Sequence, residues 1–392
     1  MKIDFLNCSE EKLAEYCFKF ISVDRNDPLD DRRAMYYVID QLQAMKKKTD
    51  NNLFSFPLSV LWKISGRCNS SCHHCWAALN DFSDNPRQID VAKQLVENDV
   101  ISVSISGGEP FMNSKIFDII SVLKKGNTII EILSNGSLID KETSKILANI
   151  LNPNTDVIQI SLDGSTQEIH DKQRNSPIFD RAIEGISNLK NVGLKVRNVF
   201  VSTPINQHDL FNTYKLSNSL GVDVFAPCPV FPLRKGKDIS QKIDSIQYLR
   251  QISMCKAHED AFVTKLRIQV DQHYQYLVNK YFNKNELLHN VDNKTYLVPM
   301  DETNSRMQFD AFGEAIPGPE WEKNMSAGNI YNENVKTIWE RGINWQEFRN
   351  GRNLKNTKCA SCKVFAICEG GNAKLAYDKY NTINMPDGTC MI

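Results

Sequence analysis

Three cysteines stand close together in one short stretch, Cys68, Cys72 and Cys75, with the spacing C-x3-C-x2-C. They follow an apolar run, residues 58–64, that is typical of a strand. A [4Fe–4S] cluster has four irons and normally takes four cysteine thiolates, so three local thiolates would leave one iron free to bind a small molecule. An open metal position distinguishes a catalytic site from a structural one. The alternatives are half of a zinc site or a set of buried thiols.

A second motif, Gly107-Gly108-Glu109-Pro110, follows the next strand-like run, residues 100–105. Glycines let backbone carbonyl groups approach a ligand closely, and Glu109 can accept a hydrogen bond from an ammonium group. On its own the motif could be an ordinary strand-to-helix turn. Together with the cysteines, it resembles the radical S-adenosylmethionine (radical SAM) family. In that family the open iron binds the amino and carboxylate groups of SAM, and the glycine-rich turn binds the amino group.

Composition limits the other possibilities. The chain has 392 residues with 47 basic and 47 acidic side chains, so nothing electrostatic favours nucleic acid or an anionic membrane as a partner. No apolar run approaches the roughly 20 residues of a membrane span, and the N-terminus lacks the apolar segment of a signal peptide. Disulfides are rare in proteins that stay inside the cell, so in a protein without a signal peptide 11 cysteines favour metal or redox chemistry. We expect a cytoplasmic protein that works where oxygen is scarce.

The elements that must position these motifs alternate between strand-like and helix-like segments. The predicted strands are residues 60–65, 100–106, 129–134, 157–162, 196–202 and 222–226, and the predicted helices include 114–125, 141–149, 180–191 and 208–220. Such alternation favours βαβ units around a parallel sheet. Six units are fewer than the eight of a complete barrel, and the family resemblance implies an α/β fold of the open partial (β/α)6 barrel type. Active sites of parallel barrels lie at the carboxyl ends of the strands, where these motifs stand.

Further residues at strand ends are implied as SAM contacts by the resemblance. Asn135 ends the third strand in a Ser-Asn-Gly turn, although a plain Asn-Gly turn is an equal alternative. Ser161 and Asp163 end the fourth, and Arg174 follows in a segment similar to that of peptide-modifying members. An arginine suits a carboxylate because its planar fork donates two parallel hydrogen bonds. His74 stands where the family usually has an aromatic residue, and histidine can stack on adenine or hydrogen-bond to it.

The C-terminal third holds a second set of cysteines, Cys359, Cys362, Cys368 and Cys390. Their C-x2-C-x5-C spacing with a distant fourth cysteine resembles the SPASM extension of radical SAM enzymes, which binds auxiliary [4Fe–4S] clusters. Four thiolates suit zinc as well as iron, so a zinc site is the alternative.

The chain departs from the SPASM pattern at two positions. Asn372 and Gly318 stand where the full pattern has cysteines, and in the family both missing thiolates belong to the cluster nearer the active site. The four cysteines of the outer cluster are all present. We therefore expect one auxiliary [4Fe–4S] cluster and no inner one.

The predicted organisation has four parts. They are an N-terminal helical region (1–56), the radical SAM partial barrel (57–235), a helical connecting segment (236–300) and a SPASM-like domain (301–392). The N-terminal region lacks the strand–strand–helix order of the peptide-recognition domain that some relatives carry.

Cys228 is set apart from the remaining cysteines because it follows the sixth predicted strand, near the expected mouth of the barrel. Radical epimerases of the family use one cysteine thiol as a hydrogen-atom donor, and Cys228 is the candidate here.

The resemblance implies a mechanism. One electron from a flavodoxin- or ferredoxin-type donor cleaves SAM to methionine and a 5′-deoxyadenosyl radical, which abstracts a substrate hydrogen atom. The leading hypothesis is modification of a ribosomally synthesised peptide by crosslinking, oxidation or epimerisation. A second is oxidation or epimerisation of a small metabolite such as a sugar or aminoglycoside. A third is an iron–sulfur electron carrier without enzymatic activity, which the intact Gly-Gly-Glu-Pro turn argues against.

Overall fold

The computed structural model describes residues 4–21, 54–75, 77, 84–240, 242–259, 265–266, 281, 303, 305–318, 321, 323–362, 365, 370–388 and 390. Within these residues the strands are β1 (Ser59–Ser65), β2 (Ser102–Gly107), β3 (Ile129–Ser134), β4 (Val157–Ile160), β5 (Lys195–Ser202), β6 (Val224–Pro229), β7 (Lys265–Leu266), β8 (Arg306–Phe309) and β9 (Ala315–Ile316). The helices are α1 (Glu10–Ile21), α2 (Gln88–Glu97), α3 (Ile116–Leu123), α4 (Lys141–Ile150), α5 (Gln167–Arg174), α6 (Phe179–Asn191), α7 (Leu210–Ser219), α8 (Lys237–Ser240), α9 (Ser245–Glu259), α10 (Val335–Arg341), α11 (Gln346–Arg349) and α12 (Ala373–Tyr380).

The strands form one sheet in the order β7-β6-β5-β4-β3-β2-β1-β8-β9. Every neighbouring pair from β7 to β8 is parallel, and only β9 runs antiparallel, as the second strand of a hairpin with β8. The predicted partial barrel of six parallel strands is confirmed as β1 to β6. The sheet does not close, and it is longer than predicted because β7 extends one edge and β8–β9 extend the other.

The two faces of the sheet differ in burial. In β3, Ile130 and Ile132 are buried, whereas the residues that alternate with them, Ile129, Glu131 and Leu133, are partly exposed. The buried face packs under the surrounding helices and includes Trp62 of β1. Such a period of two is expected when strand side chains alternate between faces. The partly exposed face is the interior of the open barrel.

The C-terminal segment shares the core of the barrel. Trp339 and Trp345 belong to the same apolar cluster as the buried residues of β1 to β5. The Trp339 indole N–H donates to the carbonyl of Phe54 at 2.7 Å, which joins α10 to the segment that leads into β1. Burial of a large aromatic side chain is worth several kcal/mol, about 3–5 on truncation to alanine. The C-terminal segment and the barrel are therefore stabilised together.

The sixth predicted strand was placed too early in the chain. It was expected over residues 222–226 but spans Val224–Pro229, so Cys228 lies within the strand and not after it. Pro227 and Pro229, which lack an N–H, lie within this strand. They are tolerated because β7 pairs only with Val224 and Phe225, which leaves the outer edge of β6 without a described partner at the prolines.

The described part of the N-terminal region contains α1, and that of the connecting segment contains α8, α9 and the short strand β7. Helix α1 packs against α9, and the Arg250 guanidinium donates to the Cys8 carbonyl at 3.1 Å. Much of the predicted connecting segment lies outside the described residues. No helix in the described part of the chain is long and apolar enough to cross a membrane. The predicted boundaries of the four parts stay predictions.

Candidate active site

The predicted cysteine motif forms a loop at the carboxyl end of β1, packed directly against the Gly107–Gly108 turn that ends β2. Cys72 is buried, and Cys68 and Cys75 are half-buried. A Cβ atom added to Gly108 would lie 2.2 Å from the Arg67 carbonyl oxygen and 2.9 Å from the Cys68 Cβ. A side chain at this position would therefore displace the loop, which explains the glycine.

The three thiols lie in an environment that disfavours bare thiolates. Burial is the main cause that raises the pKa of Cys68 to about 12, and the nearby charges of Glu109, Cys72 and Cys75 contribute to the same shift. Burial likewise raises the pKa of Cys75. Thiols in such an environment need a bound cation to exist as thiolates. A [4Fe–4S] cluster would bind each of the three cysteines through a separate iron.

Glu109 joins the ends of three segments at this edge of the sheet. Its carboxylate accepts hydrogen bonds from the Ser134 hydroxyl (2.8 Å), the Asn135 N–H (2.8 Å) and the Phe111 N–H (3.2 Å). The residue is completely buried, and this burial raises its pKa to about 7. Direct contact between Glu109 and SAM stays a prediction, since both carboxylate oxygens already accept hydrogen bonds from the protein.

Asn135 fixes the cysteine loop to the end of β3. Its side-chain Nδ2 donates to the Asn69 Oδ1 at 2.8 Å, and its Oδ1 accepts from the Ser137 hydroxyl at 2.7 Å. Asn69 in turn donates to the Ser137 hydroxyl at 2.9 Å. The predicted Asn-Gly turn is therefore part of the framework around the cysteines.

Asp163 and Arg174 form a buried ion pair beside the cysteine loop. The Arg174 Nη2 lies 2.6 Å from the Asp163 Oδ2, and Asp163 Oδ1 accepts from the Val201 N–H at 2.7 Å. The Arg174 Nη1 donates to the Cys72 Sγ at 3.7 Å. Burial alone would lower the pKa of Arg174, but the charges of Asp163 and Cys72 outweigh it and the pKa is raised. The guanidinium therefore carries its charge at every physiological pH.

His74 is buried and neutral. Burial lowers its pKa well below the usual range, and the positive charge of Arg174 lowers it further. Its Nδ1 lies 2.9 Å from the Gln173 Nε2, and its Nε2 lies 3.8 Å from the Asp163 Oδ2. Stacking of His74 on adenine stays a prediction.

Several residues of this network were not found from the sequence. The side-chain Oε1 of Gln173 accepts from the Thr203 hydroxyl at 2.8 Å, and the Asp163 N–H donates to the His170 Nδ1 at 3.1 Å. The Ser70 hydroxyl donates to the Arg174 carbonyl at 3.1 Å. These contacts join residues that are far apart in the chain, and single polar residues in the sequence give no signal of them.

The interior face of the sheet leads away from this site. Strand register places Ser104 beside Glu131, Gln159 beside Arg197, and Val201 beside Cys228. Arg197 Nη1 forms an ion pair with Glu131, whose other oxygen accepts from the Ser104 hydroxyl at 2.8 Å. A complete barrel fills its interior with bulky branched residues. Here the partly exposed interior holds polar side chains, such as Glu131 and Arg197, among apolar ones, and the strand alternation puts Ser161 and Cys228 on this face.

The structure describes three of the four C-terminal cysteines, and Cys368 lies outside the described residues. Cys359 is buried in a short 3-10 turn (Lys358–Ser361), while Cys362 and Cys390 are half-buried. Arg352, which the sequence did not reveal, donates to the carbonyls of Gly371 and Met385 at 2.6 Å each. It thereby ties the segment before Cys390 to the segment after Cys368. Which metal these cysteines hold stays a prediction.

Asn372 has a structural task in place of the missing thiolate. Its side-chain oxygen accepts from the N–H groups of Lys374 (2.8 Å) and Leu375 (3.1 Å), so it is the N-cap of α12. Gly318, at the other missing cysteine position, is a buried turn residue. Its carbonyl accepts from the Trp321 N–H at 3.1 Å, so both positions take part in the local structure of the protein.

Two segments of the chain match known protein families. Residues 62–216 match the radical SAM superfamily, and residues 302–363 match the SPASM iron–sulfur cluster-binding domain. The chain contains a radical SAM domain followed by a SPASM domain. A radical SAM domain binds a [4Fe–4S] cluster and SAM, and a SPASM domain binds auxiliary iron–sulfur clusters, so these are its cofactors.

Relatives of this radical SAM chain have diverse substrates. It is 23% identical over 328 residues to an AdoMet-dependent heme synthase of Methanosarcina barkeri, covering 81% of the chain and 92% of that protein. It is 24% identical over 279 residues to the subtilosin biosynthesis protein AlbA of Bacillus subtilis, covering 66% and 60%. The fold is similar to Streptococcus suis SuiB bound to its precursor peptide SuiA, with a TM-score of 0.71, 21% identity and coverage of 87% and 77%.

Proposed function

We propose that this radical SAM enzyme modifies a ribosomally synthesised peptide by crosslinking, oxidation or epimerisation. The observation that carries the radical chemistry is the convergence of Cys68, Cys72 and Cys75 with the Gly107–Gly108 turn at the carboxyl edge of the sheet. The peptide substrate is supported by the relative AlbA, which serves bacteriocin biosynthesis. The polar side chains in the partly exposed interior of the barrel suit a peptide, whose backbone needs hydrogen-bond partners wherever it is buried.

Bound SAM, reduced by one electron from a flavodoxin- or ferredoxin-type donor, would supply the 5′-deoxyadenosyl radical that takes a hydrogen atom from the substrate. The chain's own residues would arrange this chemistry. The three cysteines would hold the first cluster, while Ser161, Asn135 and the Gly-Gly-Glu turn would orient SAM. In this proposal the late cysteines hold one auxiliary cluster, which accepts the second electron of a net two-electron oxidation.

Cys228 is proposed as the hydrogen-atom donor if the product is an epimer. It lies on the interior face of β6, beside Val201 and on the same face of the sheet as Ser161. A substrate radical would take the thiol hydrogen atom, and the resulting thiyl radical would need one electron and one proton to be restored.

The test is co-expression with the short peptides encoded beside the gene, followed by mass spectrometry. A crosslink or dehydrogenation removes two hydrogen atoms from the peptide, and epimerisation in D2O replaces one hydrogen by deuterium without any other change. In an epimerase, Cys228→Ala would abolish deuterium uptake while SAM cleavage continues, and the buried Cys255→Ala serves as the matched control. Absence of any change in every neighbouring peptide, with SAM still cleaved, would contradict a peptide substrate.

A small-molecule substrate is the second candidate. The similarity to the heme synthase, which covers 92% of that protein, favours a tetrapyrrole over the sugar or aminoglycoside considered from the sequence. A mass change in an added iron tetrapyrrole, with none in peptides, would decide for this alternative.

A further inference from the structure

Arg174 holds a positive charge against one of the cysteines that would bind the first cluster. Its side chain is 9% exposed, its Nη1 donates to the Cys72 Sγ at 3.7 Å, and its Nη2 lies 2.6 Å from Asp163. The family resemblance assigned Arg174 to the carboxylate of SAM. In the structure the guanidinium instead divides its donors between a carboxylate and a sulfur of the protein.

Both ends of Arg174 are fixed. The carboxylate that holds its guanidinium accepts from the Val201 N–H at 2.7 Å, which anchors it to β5. The Arg174 carbonyl accepts from the Ser70 hydroxyl at 3.1 Å, which anchors the backbone of α5 to the cysteine loop. The guanidinium therefore has little freedom to leave Cys72 without breaking a buried ion pair.

Reduction of an iron–sulfur cluster adds one negative charge, and the potential depends on hydrogen bonds to the sulfurs and on nearby charge. A fixed cation beside a cysteine sulfur stabilises the reduced form, and the effect is larger in a buried site than in water because the effective dielectric constant is lower. Asp163 lies on the far side of the guanidinium and offsets part of its charge.

We propose that Arg174 is a positioning residue whose guanidinium, held in place by Asp163, lies against Cys72. Its positive charge there raises the reduction potential of the first cluster and so favours entry of the electron. The consequence is that a one-electron donor of the flavodoxin or ferredoxin type can reduce the cluster more readily. This role precedes SAM cleavage and does not depend on which substrate the enzyme modifies.

The test is an EPR-monitored redox titration of the reconstituted full-length enzyme with dithionite, carried out without SAM. The signal that changes when SAM is added afterwards identifies the first cluster. Arg174→Gln is expected to lower its midpoint potential, and Asp163→Asn to raise it because the guanidinium charge is then less compensated. Arg181→Gln, which removes the same charge from the exposed face of α6, is the matched control and leaves the potential unchanged because solvent screens it.

Two further variants protect the test against misfolding. Arg174→Lys keeps the charge and should shift the potential less than Arg174→Gln. The double variant Arg174→Gln/Asp163→Asn removes both charges, leaves no unpaired ion, and should stay below the wild-type potential because Arg174 is the member in contact with Cys72. An unchanged midpoint potential in Arg174→Gln, with full iron content, would overturn the proposal. Weakened SAM binding in the same variant would then assign Arg174 to SAM. A lower midpoint potential in Asp163→Asn than in the wild type would also overturn the proposal.

Discussion

Glu109, which the sequence predicts as a SAM contact, is part of the framework of the site. The sequence marks it as a residue of a SAM-binding turn, and the structure shows its carboxylate holding β3 to the turn after β2. The three donors stabilise the ionised form, yet complete burial dominates and raises the pKa. A buried carboxyl group with a raised pKa makes the stability of the protein depend on pH.

The contribution of Glu109 to the stability of the iron-free protein should fall as the pH rises from about 4.5 to 7. The pKa of Glu109 is about 7 in the folded protein against its ordinary value of 4.5, so in this window the unfolded chain releases a proton that the folded protein keeps. Across this window the contribution of Glu109 to the free energy of unfolding falls by about 3 kcal/mol. Above pH 7 this contribution stays constant. The measurement is anaerobic urea unfolding of wild type and Glu109→Gln at several pH values.

The difference in unfolding free energy between the two proteins isolates the Glu109 contribution, because every other group titrates in both. A difference that does not change with pH would show that Glu109 ionises normally in the folded state.

Helix α5 presents an unusual face to the site. It begins at the Thr166 cap and ends at Asn175 in the left-handed conformation, and its buried residues, His170, Gln173 and Arg174, are all polar. Hydrophobic periodicity finds helices whose buried face is apolar, so it could not find this one. The segment was predicted for its resemblance and not for its helical form, and Gln173 was missed altogether.

Helix α12 gives a prediction about Asn372. Asn372→Ala removes the cap from two N–H groups at the start of the helix and should lower the free energy of unfolding by about 1 kcal/mol. Asn372→Ser keeps a capping hydroxyl and should cost less. Iron content after anaerobic reconstitution should stay at about eight in all three proteins, four for each of two clusters, because the amide is not a ligand.

Urea unfolding and iron assays on the same preparations check both parts. A loss of about four irons in Asn372→Ala, or about twelve irons in the wild type, would contradict the expectation of a single auxiliary cluster.

The whole molecule is organised around β1, which has a parallel partner on each side. Strand β1 pairs with β2 along its whole length. Its N-terminal half also pairs with β8, from Ser59 beside Arg306 to Trp62 beside Phe309. Further contacts cross between the same parts of the chain, such as the Arg87 guanidinium to the Tyr331 carbonyl at 2.5 Å. The C-terminal segment is thus built into the sheet and its core.

A chain that ends at residue 300 should therefore fail to form a stable monomer. Its β1 would present an unpaired edge, and the apolar cluster would lose the side chains of α10 and the residues around it. The expected outcome is aggregation in size-exclusion chromatography, with the full-length chain as control in the same buffer. A soluble, monomeric truncated protein with one cooperative unfolding transition would contradict this view of the core.

The sequence predicted the local parts of the fold better than the distant ones. Strand β3 was predicted at its observed bounds, and the cysteine loop and the glycine turn were placed at the correct strand ends. The pairing of β8 with β1 was not predicted, because strands so far apart in the chain carry no mutual signal in one sequence. The partners of Arg174 and Asn135 were missed for the same reason, since they depend on which loops the folded sheet brings together.

The pairing of β1 with β8 also affects how the protein is made. The residues that complete the edge of β1 are synthesised about 250 residues after it. At a ribosomal rate of about 5–20 residues per second, the edge waits roughly 12–50 s for its partner. During that interval the nascent chain carries an open apolar strand, and contacts so distant in sequence also form slowly. Slow-growth or low-temperature expression with abundant chaperones should therefore improve the yield of soluble enzyme.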